Sequence, residues 1–77
     1  MNLEEEKAAL QKATDDISAA SDRIQRQEAL IKELAAEGHD TSTASELLVV
    51  LRGSLEAMIE HRGTIADMVA KIRQGKL

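Results

Sequence analysis

Apolar residues recur along two long segments of the chain, and the segments meet at one short polar break. In the first segment Leu3, Leu10, Ile17, Ile24 and Ile31 are spaced by seven, and Glu6, Ala13, Ala20, Gln27 and Leu34 follow them three places on. These are the a and d positions of a heptad repeat, the signature of a helix packed along another helix. The second segment reads Ala44, Leu48, Leu51, Leu55, Met58, Arg62, Ile65, Val69 and Ile72. Its steps alternate between four and three, again a heptad seam, and only Arg62 breaks it. A further flank of Leu47, Val50, Ile59, Ala66 and Met68 makes this face wider than a two-helix seam needs. The spacing predicts helices over about 3–37 and 42–74, each roughly 50 Å long at the helical rise per residue.

The break is Gly38-His39-Asp40-Thr41. Gly38 can enter the left-handed conformation that ends a helix without a side-chain penalty. Asp40, Thr41, Ser42 and Thr43 all have short side-chain oxygens able to accept a free backbone N–H at a helix start. Thr41 is the first choice of N-cap, and Thr43 with Glu46 is the rival, as a capping box. A stop followed at once by a start predicts an all-α fold, an antiparallel two-helix hairpin resembling a coiled coil. Folding there sets Ile24 against Leu55, Ala20 against Met58, Ala13 against Ile65 and Leu10 against Val69. Small residues then face large ones, as uniform packing requires. The acidic run Glu4, Glu5 and Glu6 comes beside Lys71, Arg73 and Lys76.

Composition bears on assembly. Seventy-seven residues make one small hairpin domain over 1–77, and its core is marginal. The chain has no Cys, Phe, Trp, Tyr or Pro. Disulfides and thiolate metal sites are thereby excluded, and the aromatic side chains that dominate most cores are missing. Self-association is the remaining staple, so the sequence predicts a homodimer that closes into a four-helix bundle. The interface is expected at Leu30, Leu34, Leu47, Leu48, Leu51, Leu55, Met58, Ile59, Arg62 and Met68.

The formal net charge is −4, with 14 acidic and 10 basic residues. This balance argues against nucleic acid or an anionic membrane as partner. Arg23, Arg26, Lys32 and Arg52 are the only basic cluster, acidic residues interrupt it, and no aromatic is available to stack on bases. The acidic N-terminus does not read as a signal peptide, and the longest apolar run, Leu47 to Leu51, is too short to span a bilayer. A cytoplasmic location is expected.

Candidate chemistry is sparse. His39 and Asp40 sit in the turn with Glu37 nearby, short of the three or four ligands a metal needs. There the expected roles are structural: His39 follows a glycine cap, and Asp40 assists the next helix start. His61 lies roughly 30 Å away along the helix at the helical rise per residue, with no second histidine at i+4. Arg62, a charge on the seam, is expected to pair with Asp16, and Gln27 is a second polar residue able to fix register. No nucleophile–base arrangement or glycine-rich phosphate loop is present in the sequence. No catalytic residue, metal or cofactor is expected.

The stretch Arg23-Ile24-Gln25-Arg26-Gln27-Glu28-Ala29-Leu30-Ile31, with Leu34, Gly38-His39-Asp40-Thr41, Ala44, Leu47-Leu48, Leu51, Leu55 and His61-Arg62, carries a resemblance. It resembles a group of small, uncharacterised α-helical hairpin proteins frequent in α-proteobacteria, which share the Gly-His-Asp-Thr turn. The match covers about residues 23–62. It implies a helical hairpin and carries no chemistry with it. The function expected is therefore a non-enzymatic protein–protein interaction or structural module that self-associates through its apolar face. The alternative is an adaptor or regulator that offers this face to a different protein. A nucleic-acid-binding hairpin dimer ranks below both.

Overall fold

A computed structural model describes residues 2–75. Two helices, α1 (Leu3–Ala36) and α2 (Ser42–Arg73), fold back on one another into a hairpin 59 Å long, and no strand occurs among the described residues.

Each helix end has a local cause. At the start of α1 the Asn2 side chain accepts hydrogen bonds from the backbone N–H groups of Glu4 at 2.8 Å and Glu5 at 3.4 Å. Glu4, Glu5 and Glu6 occupy the first turn, where the free N–H groups favour negative charge. At the other end Gly38 has φ +78°. Its N–H donates to the Ala35 carbonyl at 3.1 Å, and the His39 N–H reaches back to the Leu34 carbonyl at 2.9 Å. That pair of bonds is a Schellman motif, which needs a left-handed residue where Gly38 stands. A Cβ at position 38 would meet nothing within 4 Å. Gly38→Ala should therefore destabilise through backbone conformation alone, by about 1 kcal/mol in a chemical-denaturation midpoint series. An unchanged midpoint would mean that the turn does not hold this conformation in solution.

The start of α2 differs from the expectation. Thr41 holds the N-cap position, but its side chain makes no capping hydrogen bond. The side-chain contact comes one residue earlier, where Asp40 Oδ1 accepts from the Ser42 N–H at 2.9 Å and from Ser42 Oγ at 2.7 Å. Thr43 lies inside the helix, so the capping box with Glu46 does not form. The Ser42 hydroxyl and N–H both favour the charged carboxylate and hold the Asp40 pKa below its ordinary value. The contribution is thus present at neutral pH and is lost as pH falls through and below the usual carboxylate range.

Between the ends, the heptad positions form the contact. Every a and d residue of α1, from Leu3 to Leu34, is buried or half-buried, and so is every seam residue of α2 except Arg62. The tightest packing lies towards the open end. Ala13 (9% exposed) is enclosed with Ile65 (8%) and Val69 (6%), and Leu3, Ala9 and Leu10 pack around them. Ile24 and Leu48 are buried nearer the turn. Among the described residues no side chain is sealed completely from solvent, because a two-helix layer leaves each one open on two sides.

The charge pairing expected between the open ends does not form. Glu4 pairs with Lys7 on its own helix at 3.9 Å, and no ion pair links Glu4, Glu5 or Glu6 to Lys71 or Arg73 among the described residues. Lys76 lies outside the described residues. Neighbours on the same helix face are already within reach, so an exposed charge settles there with little loss of freedom.

Candidate functional site

The heptad register decides what each flank of the hairpin carries. In an antiparallel pair, g positions of the two helices share one side of the seam and e positions share the other. Leu30 of α1 and Leu47 of α2 are both g residues, and they lie together in a shallow groove with Arg23, Arg26, Gln27 and Leu51. Val50 neighbours this side, one turn along from Leu47. Ile59 and Ala66 take e positions, on the opposite side from Leu47 and Met68. The extra apolar flank read from the sequence is thus two flanks, one on each side of the seam.

Exposure sorts the expected interface residues accordingly. Leu48 is buried, whereas Leu34, Leu51, Leu55, Met58 and Met68 are half-buried in the seam or beside it. Leu30 is 42% exposed, Leu47 45%, Ile59 52% and Val50 63%. Val49 is also exposed, and the sequence pattern gave no reason to single it out beyond its place in an apolar run. Near the turn, Leu30 and Leu47 meet on one face, with Val50 exposed one turn along from Leu47. A second groove on the other face, lined by Gln25, Glu28, Ala29, Ile31, Lys32 and Leu48, is larger and more apolar, and Glu28 and Lys32 give its rim one charge of each sign.

Arg62 does not pair with Asp16. Its Nε donates to Thr14 Oγ1 at 2.8 Å, and that hydroxyl donates in turn to the Leu10 carbonyl at 3.0 Å. Asp16 accepts instead from Lys12 at 2.9 Å, an i,i+4 pair that raises the Lys12 pKa. The reason is again one of sides. An a residue such as Arg62 leaves the seam towards the e flank, where Thr14 stands, and Asp16 is a g residue on the other flank. Arg62 is exposed, so its charge stays in water while its stem covers the seam. A double-mutant cycle on Arg62 and Thr14 should return a coupling of about 0.5–1 kcal/mol, and the same cycle on Arg62 and Asp16 should return none. Coupling confined to the Asp16 pair would reverse this assignment.

Gln27 reaches across the seam as well, but its Nε2 donates to the Ala44 carbonyl at 2.9 Å and it is half-buried. A hydrogen bond from a seam residue to a fixed backbone oxygen specifies register, since a slip of one residue would strand the amide. Arg52 Nη2 to Glu28 Oε2, at 3.5 Å, is the third polar tie between the helices. It also breaks up the basic cluster. Arg52 is spent on Glu28, Lys32 lines one groove, and Arg23 and Arg26 line the other.

In the turn, Gly38, His39 and Asp40 are exposed and Thr41 is half-buried. His39 Nε2 lies 3.4 Å from Glu37 Oε2, and the Asp40 carboxylate is engaged with Ser42. Among the described residues no three His, Cys, Asp or Glu side chains converge on a point where a cation could sit. Nor is any helix long and apolar enough to cross a membrane. The chain matches no known family model, no curated protein and no solved structure.

Proposed function

We propose that the chain is a non-enzymatic interaction module of the cytoplasm, a helical hairpin that self-associates into a four-helix bundle. One observation carries the reading. The hairpin has no completely enclosed side chain among the described residues, yet leaves Leu30, Leu47 and Val50 exposed together on one face. A second hairpin laid on that face removes these residues from water and covers the d residues Leu34 and Leu51 from their open side. The basic residues divide between two grooves and one is paired with Glu28, which speaks against a nucleic-acid surface. The resemblance to other small hairpins supports the same shape and adds no chemistry.

Sedimentation equilibrium together with melting curves tests this reading. Coupled folding and association should give a dimer at micromolar concentration. The melting temperature should then rise by about 4–5 °C for each tenfold increase in protein. A folded monomer with a concentration-independent melting temperature would overturn self-association. It would leave the adaptor reading, in which a different protein supplies the second layer of the bundle.

A further inference from the structure

The groove face carries a charge pattern that the hairpin does not use. Arg23 and Arg26 precede Leu30 by seven and four residues, and Glu33 and Glu37 follow it by three and seven. In the heptad these five alternate between the g and c positions, so they form one line along the groove side of α1. Arg23, Arg26 and Glu33 have no ion-pair partner among the described residues, and Glu37 meets only His39. Asp22, one turn before Arg26, flanks it in a separate shallow depression without forming an ion pair. The line thus reads basic, basic, Leu, acidic, acidic, and it is its own complement when reversed.

The geometry points to a two-fold dimer in which the turn ends of two copies overlap antiparallel, α1 on α1, with Leu30 at the centre. This rests on the self-association reading and specifies its face and orientation. About that centre Arg23 of one copy meets Glu37 of the other, and Arg26 meets Glu33. Leu47 is level with Leu30 in the hairpin, so the same axis brings the two Leu47 side chains together. It also sets Val50 of α2 near Ala44 of the other copy, and Asp40 of the turn near Ser54, with no like charges opposed. Overlap along the full hairpin length is disfavoured, because it sets Lys12 on Arg26 and Glu5 on Glu33. Stacking α1 on α2 with both turns at one end leaves Arg23 facing Ser54 and Arg26 facing Val50. The overlap spans roughly 20 Å of helix. That puts the buried area at the small end of specific interfaces, where charge complementarity sets orientation and salt sensitivity.

Two charge-reversed full-length chains test this. One is Arg23→Glu with Arg26→Glu, the other Glu33→Arg with Glu37→Arg. All four sites are exposed, and helical circular dichroism reports that each chain still folds. Each variant alone should self-associate about tenfold or more weakly than the native chain, and their equimolar mixture should recover a dimer of native affinity or better. Native association should also weaken as salt is raised. Variants that dimerise as well as the native chain would overturn the orientation and leave self-association standing. A mixture that fails to recover would overturn it too. A native chain that stays monomeric would overturn both readings at once.

Discussion

Ile65→Ala should cost about 2–4 kcal/mol, measured by denaturant unfolding of the full chain. Ile65 is among the most enclosed side chains of the hairpin and stands where three buried residues touch. Truncation removes its transfer energy and leaves a gap beside Ala13, whose methyl cannot fill it. The backbone is held on that side by a stiff α-helix, so collapse into the gap is limited. Typical domains have only 5–15 kcal/mol in total, and a chain of this size without aromatics belongs near the lower end. The loss is therefore expected to show as reduced helicity at room temperature as well as a shifted midpoint. A cost below about 1 kcal/mol would mean that the open end of the hairpin is not packed in solution.

The reverse change, Ala13→Leu, should destabilise by about 1–3 kcal/mol. Ala13 is buried against Ile65 and Val69, and the added atoms have to displace one of them or push the helices apart. Inserted volume in a filled site forces side chains off their preferred rotamers. The combination of Ala13→Leu with Ile65→Ala exchanges the large and small partners across the seam. It should be more stable than the sum of the single losses allows, with a coupling of about 1 kcal/mol or more. Strict additivity would show that the two positions do not share space, and would refute the register in which Ala13 faces Ile65.

The seam was legible because periodicity is a statement about one helix face. Leu3 through Leu34 and Ala44 through Ile72 recur at steps that put them on one stripe, and the structure buries or half-buries all of them except Arg62. The turn was legible for a similar reason, since Gly38 is the one residue type that takes φ +78° without strain. What the pattern left ambiguous was sidedness. Leu47 and Ile59 both sit next to the stripe, but on opposite sides, and spacing from the nearest seam residue does not separate them unless the full register is followed. The same ambiguity sent Arg62 towards Asp16 on paper, whereas in the fold it leans to Thr14. Caps were also imperfectly read. Several adjacent residues at the start of α2 have suitable oxygens, and the choice among Asp40, Thr41 and Thr43 turns on backbone angles that composition does not encode. Asn2 was not singled out at all, although its amide oxygen serves two N–H groups.

The position of the best-packed cluster also sets the order in which the hairpin assembles. The Schellman bonds and the Asp40–Ser42 contact involve residues only a few places apart, so they form with little loss of chain entropy. Ala13 and Ile65 are about fifty residues apart along the chain. Bringing them together directly costs about 2 kcal/mol more than closing a loop of five. The low-cost route is to zip from the turn towards the termini, each seam layer shortening the loop for the next. The layers passed on the way include Ile24 and Leu48, each as enclosed as Ile65 and Ala13, between the half-buried Gln27 and Leu55. Zipping is therefore rewarded part of the way along, at Ile24 and Leu48, before it reaches Ile65 and Val69. A 34-residue helix and a 32-residue helix are thus joined first where the chain turns and closed last where three buried residues meet.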